Sequence, residues 1–231
     1  MNIAGIQKMT LLDYPGKIAC TVFTQGCDFH CPFCHNTSLV TEKGSVCESV
    51  RVEDFFAFLE KRKNRLDGVC VTGGEPLLQK DISGFLERIK RMGFLVKLDT
   101  NGSFPGRLKN LVSSGLVDYA AMDIKSSFSH YGDAAGIPRL ELEPVRESIS
   151  FLLSGKVEYE FRTTVVKELH NREVLLEAAG EIAGASRYYL QQFVDSGNLI
   201  RHGLTAYNAE EMYCLKELVS PYVKFCGVRG V

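Results

Sequence analysis

The chain predicts an α/β fold, a partial (β/α)6-type TIM barrel with parallel strands. Three observations point to it. Apolar, β-rich runs alternate with helix-patterned segments along the chain. Nearly every unusual polar cluster falls just after a predicted strand, where the active sites of parallel barrels are built. No G-x-G-x-x-G follows the first predicted strand, which weakens the main rival, a doubly wound dinucleotide-binding sheet.

The elements follow in order. "IACTVFTQG" (18–26) reads as a buried strand ending in a glycine turn. "VEDFFAFLEKRK" (52–63) carries Phe55, Phe58 and Leu59 at helical spacing. "GVCVTGG" (68–74) is a strand with a double-glycine exit. "DISGFLERIKRMG" (81–93) repeats the helical stripe at Ile82, Phe85, Leu86 and Ile89, with Asp81 as N-cap and Gly93 as stop. Strands follow at 94–102, 117–125, 159–166, 187–193 and 222–228, with helical stretches near 144–153, 171–183 and 207–219. Right-handed crossovers curl such a series into a full or partial barrel. No linker, low-complexity tract or internal repeat interrupts it, so residues 1–231 are expected to form a single domain.

Composition excludes several classes. Of the 231 residues, 45% are hydrophobic and 24% charged, as in ordinary globular proteins. A net charge of −1 argues against a general affinity for nucleic acid or anionic membrane. No apolar run reaches a membrane span, and the first residues lack the pattern of a signal peptide. A cytoplasmic location is expected, where thiols stay reduced. The eight cysteines then read as ligands or buried small hydrophobes rather than disulfides.

The stretch "GCDFHCPFCHN" (26–36) places Cys27, Cys31 and Cys34 within eight positions. Interleaved Gly26, Asp28, His30 and Pro32 mark a loop rather than a core segment. Three thiolates so spaced wrap one metal centre, and sulfur ligands suit an iron–sulfur cluster, zinc or Cu(I). A Cys3His zinc site using His30 or His35 is the competing reading, although structural zinc usually joins two separated ligand pairs. A four-iron cubane held by three cysteines keeps one iron open for chemistry.

C-x3-C-x2-C resembles the signature of the radical S-adenosylmethionine superfamily. That resemblance implies a [4Fe–4S] cluster on Cys27, Cys31 and Cys34, with S-adenosylmethionine chelated to the open iron. It also implies reductive cleavage to a 5′-deoxyadenosyl radical that abstracts hydrogen from a substrate. "GGEP" (73–76) is similar to the family segment that holds the methionine amino group, here Gly73, Gly74 and Glu75. In this reading the glycines let the backbone approach the ligand.

"DTNG" (99–102) and "MDIK" (122–125) resemble a narrower group, the activating enzymes of glycyl radical enzymes. Carried over, Asp99, Thr100 and Asp123 lie near the cofactor carboxylate and a monovalent cation. Lys125 lies near the ribose or carboxylate, Arg162 on a later strand completes the pocket, and Asn36 follows the third cysteine and histidine. Taken singly, each such residue is more often a cap or a salt bridge. Together, in order and at strand ends, they outweigh that reading. "LLDYPGK" (11–17) resembles the group's Asp-Gly-Pro-Gly-x-Arg pattern, with Tyr14 in place of the glycine and Lys17 near the arginine position. The resemblance implies that Asp13 to Gly16 guides the glycine-bearing loop of a protein partner.

Among these groups the sequence is most similar to anaerobic ribonucleoside-triphosphate reductase activating proteins, with pyruvate formate-lyase activating enzymes second. The implied electron donor is flavodoxin or ferredoxin. The late histidine of the second group has no counterpart; "YYLQQF" offers Gln191 and Gln192. Cys20, Cys47, Cys70, Cys214 and Cys226 show no cluster spacing, and Cys20, Cys70 and Cys226 read as buried thiols. His130, His170 and His202 read as surface or structural, and "EKRKNRLD" (60–67) as a solvated helix end. Two other functions stay open: a radical enzyme acting on a small molecule or modified nucleotide, and a zinc-binding interaction module.

Overall fold

The computed structural model describes residues 1–40 and 49–231, so Cys47 lies outside the described residues. In chain order the elements are β1 (Ile3–Thr10), β2 (Ala19–Thr24), α1 (Thr37–Val40), α2 (Val52–Glu60), β3 (Gly68–Gly73), α3 (Ile82–Arg91), β4 (Leu95–Thr100), α4 (Pro105–Ser113), β5 (Tyr119–Asp123), α5 (Tyr131–Ala135), α6 (Glu143–Leu153), β6 (Glu158–Val165), α7 (Arg172–Glu181), β7 (Tyr188–Gln192), α8 (Ala209–Val219) and β8 (Cys226–Arg229). The strands form one sheet in sequence order. β1 pairs antiparallel with β2, and every pairing from β2 to β8 is parallel. This is the expected open parallel sheet with one antiparallel strand added at its edge.

The two faces of the sheet differ in chemistry, because successive side chains point to opposite sides. Val69, Val71, Val96, Leu98, Ala120, Met122, Phe161 and Leu190 are buried in the main hydrophobic core. The buried stripe of α3, Ile82, Phe85, Leu86 and Ile89, belongs to the same core. The alternate strand positions carry Cys70, Lys97, Asp99, Asp123, Glu160 and Arg162, so the concave face is polar. Near its base, Arg229 grips Glu160 through two hydrogen bonds of 2.8 Å, and the Tyr119 hydroxyl donates to the same carboxylate at 3.0 Å. Tyr14 packs on Tyr119 at the end of β2 opposite the cysteine loop, with ring centroids 5.9 Å apart.

Several boundaries shift from those expected. The last strand begins at Cys226 rather than residue 222, because Ser220–Tyr222 forms a 3-10 turn around Pro221. Asp81 sits at the N-cap of α3, but its carboxylate takes the N-terminal ammonium of Met1 instead of a helix N–H. Gly93 stops α3 as expected, at φ 91°. Among the described residues, no helix is long and apolar enough to cross a membrane.

Candidate active site

The C-terminal ends of β2 to β6 open onto a cavity of about 800 Å³, its open mouth included. Its lining brings together residues distant in sequence: Cys27, Cys31, Cys34 and Asn36 from the cysteine loop, Gly73 and Gly74 at the β3 exit, Asp99 and Thr100 from β4, Asp123 and Lys125 at the β5 exit, and Arg162 from β6. Of the residues expected to bind the cluster or cofactor, Glu75 alone is missing from the lining.

The cysteine loop is held by main-chain contacts. Gly26 N–H donates to Leu39 at 2.7 Å, His30 N–H to Ala135 at 2.9 Å, and Arg201 N–H to the Pro32 carbonyl at 3.0 Å. Cys27 Sγ accepts the Phe29 N–H at 3.4 Å. Burial pushes the Cys27 thiol up to about 12 and the Cys31 thiol to about 11. Buried thiols of this kind ionise when a metal centre supplies the compensating charge. Among the described residues, no three His, Cys, Asp or Glu side chains stand close enough to hold a single ion. Three thiols lining one cavity are a donor set that fits a multi-iron cluster with its own bridging sulfides. His35 also lines the cavity and stacks on Phe193 at 5.8 Å, and burial lowers its pKa, which favours the neutral ring.

The double glycine, besides lining the cavity, admits a close approach of main chain. A Cβ on Gly74 would lie 1.9 Å from the Gly26 carbonyl oxygen, and one on Gly73 2.2 Å from the Thr24 nitrogen. What comes close is the main chain entering the cysteine loop. Gly74 N–H donates to Thr24 at 2.9 Å and Glu75 N–H to Gly26 at 2.8 Å. Glu75 itself is fully buried. Its carboxylate accepts the Leu77 N–H at 2.9 Å, the Thr100 hydroxyl at 3.0 Å and the Asn101 N–H at 2.7 Å. Burial outweighs these donors and pushes it up to about 8. In this structure Glu75 clamps the β3 exit to the β4 exit, one residue back from the cavity lining through Thr100 and Asn101.

Across β4, β5 and β6 runs a ladder of alternating charge: Lys97, Asp99, Arg162, Asp123, Lys125. Arg162 donates through Nη1 to Asp99 at 3.0 Å and through Nε to Asp123 at 2.9 Å. Lys125 donates to the other Asp123 oxygen at 3.1 Å, and buried Lys97 to the other Asp99 oxygen. Burial works to raise both carboxyls, but Arg162 and the lysines beside them prevail. They hold Asp99 below its usual range and lower Asp123 to about 2. On the cavity wall the Lys125 and Arg162 cations stand paired with the Asp99 and Asp123 carboxylates, and Lys97 backs Asp99 from outside the lining. Each of the four carboxylate oxygens of Asp99 and Asp123 accepts one of these donors.

Sequence reasoning overlooked Lys97 and Thr164, which line up with Asp99 and Arg162 at period two on their strands. It also overlooked Asn101, whose amide donates to Asp28 at 2.8 Å and ties the β4 exit to the cysteine loop. Of the two glutamines offered in place of the late histidine, Gln192 donates to the Tyr207 carbonyl at 2.8 Å. Gln191 shares the register face of Thr164.

Comparisons with known proteins agree with this arrangement. The sequence model of the Radical SAM superfamily matches residues 21–176. A Methanocaldococcus jannaschii protein, provisionally named a glycyl-radical enzyme activating enzyme, is 32% identical over 198 residues, covering 83% of this chain and 79% of that one. A 7-carboxy-7-deazaguanine synthase of Thermococcus kodakarensis is 31% identical over 140 residues, covering 52% and 54%. In fold, the chain is similar to Streptococcus suis SuiB, with a TM-score of 0.70 at 15% identity over 89% of this chain. The match spans only 47% of the SuiB chain.

Proposed function

Because the chain belongs to the radical S-adenosylmethionine superfamily, we propose that it activates a glycyl radical enzyme, with an anaerobic ribonucleoside-triphosphate reductase as the partner. The observation that carries the cofactor reading is the convergence of a three-cysteine loop and a ladder of paired charges on one cavity. The activase reading rests on the resemblance of "DTNG", "MDIK" and "LLDYPGK" and on the M. jannaschii relative, which is similar along most of the chain.

Cys27, Cys31 and Cys34 would hold [4Fe–4S], with the fourth iron left for S-adenosylmethionine. When bound, the reduced cluster and S-adenosylmethionine together supply a carbon-centred radical that takes a hydrogen atom from the substrate. The chain's own part is to hold and orient. Lys125 and Arg162, held in place by Asp99 and Asp123, would present positive charge to the cofactor carboxylate. Gly73, Gly74 and Asn36 line the wall beside the cysteines, and Phe29 and Phe33 exclude water there. The sheet is open between β1 and β8, which leaves a side from which a loop of a protein substrate could reach the cavity. A cytoplasmic location and a flavodoxin or ferredoxin donor complete the proposal.

The second reading is a small-molecule substrate, favoured by the similarity to the deazaguanine synthase. Anaerobic reconstitution with iron and sulfide, followed by reduction with S-adenosylmethionine present, tests both. We expect 5′-deoxyadenosine, and an electron paramagnetic resonance signal of a glycyl radical when a reductase is added. Cleavage without a radical on any glycyl radical enzyme favours the small molecule. One equivalent of zinc and no iron would sink both.

A further inference from the structure

His170 does not line the cavity, yet it touches segments that build it, the β5 exit and the cysteine loop. It follows β6 in the chain and is fully buried. Its Nδ1 accepts the Val166 N–H at 3.0 Å, and its Nε2 lies 2.7 Å from the Lys125 carbonyl oxygen. A carbonyl only accepts, so Nε2 carries the proton and Nδ1 is bare, which fixes one neutral tautomer. The ring meets Phe33 edge-on, 6.0 Å between centroids and 70° between planes. Phe33 lies between Cys31 and Cys34 in the loop and is itself buried. The Tyr207 hydroxyl, from the connection between β7 and α8, donates to the His170 carbonyl at 2.8 Å.

We propose that His170 is a positioning residue for the cavity: it fixes the Lys125 main chain relative to the cysteine loop, so that the Lys125 ammonium is held at Asp123 on the cavity wall. The geometry separates this from a purely structural role. Lys125 bonds Asp123 through a flexible four-carbon stem at 3.1 Å, and the root of that stem is what His170 anchors. A shift of the root would misplace the ammonium while leaving the barrel intact. In metal sites, outer partners that orient a ligating side chain typically change affinity or activity by about 10- to 100-fold when removed, and an effect of that order is the analogue here.

The inference rests on the cofactor reading above, and the test separates the two. Equilibrium binding of S-adenosylmethionine is measured on reconstituted holoenzyme for the wild type, His170→Phe, His170→Gln, Lys125→Met and the His170→Phe/Lys125→Met double variant. His170→Phe keeps the ring contact with Phe33 and loses both hydrogen bonds. His170→Gln can still offer an N–H to the Lys125 carbonyl. We expect His170→Phe to weaken binding by about tenfold with iron content unchanged. His170→Gln should recover most of that loss. His170→Phe should add nothing once Lys125 is Met, because both act through the same ammonium. Unchanged affinity in His170→Phe overturns the inference, and so do losses that simply add in the double variant. If His170→Phe does not load iron, the same cycle is run with His170→Asn, whose shorter amide cannot span to the carbonyl, and additive losses again overturn it. A wild type that binds no S-adenosylmethionine would sink the cofactor reading instead.

Discussion

Arg162 joins the two carboxylates of the cavity wall, and most of the wall's electrostatics depend on it. Replacing it by Met leaves Asp99 and Asp123 facing each other with fewer partners. Removal of one member of a buried pair costs about 3–5 kcal/mol, and urea denaturation of Arg162→Met should show a loss of that order. Asp123 sets a pH window as well. Its carboxyl, lowered from 3.8 to about 2 by Arg162 and Lys125 against burial, is ionised more readily folded than unfolded. It therefore contributes stability above pH 4 or so, and that contribution is lost as pH falls towards about 2. Denaturation curves at several pH values should be steeper in pH for the wild type than for Asp123→Asn. Glu75→Gln presents an amide NH2 where two donors meet one oxygen and a third meets the other. We expect it to cost about 1–3 kcal/mol through an unsatisfied buried group, read as a lower midpoint of thermal unfolding. Asp99, Asp123, Lys125 and Arg162 were legible because strand ends and a family resemblance coincided on them. Glu75 was only half legible: its motif was plain, but burial and the three donors that occupy it are tertiary facts. Lys97 was legible in principle, two residues before Asp99 on one strand, and was hidden because a lysine amid apolar residues draws no attention until its partner is seen.

The cysteine loop is an element without regular structure, and backbone contacts substitute for a ladder. Gly74 lets the β3 exit lie against it, with the Gly26 oxygen where a Cβ would stand 1.9 Å away. Gly74→Ala must therefore push the loop outward. Iron bound after reconstitution should fall well below that of the wild type while far-ultraviolet circular dichroism stays the same. Full iron loading would show that the loop tolerates the displacement. The seven parallel strands were legible as apolar runs with turn signals, because strands buried on the helix side read that way. β1 was not, since its burial alternates poorly and three of its last four residues are exposed, as befits an edge strand. α4 announces itself only by Pro105 at its first turn and by Leu108 and Leu111, and it follows a turn-rich stretch that masks it. α5 has five residues, too few to show any period.

At the scale of the molecule, one rule organises the rest. Parallel strands in sequential order place all their C-terminal ends on one side, so residues from Cys27 to Arg162 meet at one cavity. The open edge between β1 and β8, and the polar concave face that leads towards the cavity, are consequences of stopping the barrel short. The proposed substrate at such an opening is a loop of a protein partner. That proposal is tested most directly by following the hydrogen atom. The candidate reductase is prepared with glycine deuterated at Cα and incubated with the reduced holoenzyme and S-adenosylmethionine, and the 5′-deoxyadenosine formed is weighed by mass spectrometry. The account predicts product one deuterium heavier, in proportion to the glycyl radical formed, and no product from Cys31→Ala. Abundant unlabelled 5′-deoxyadenosine with no radical on the reductase would contradict it.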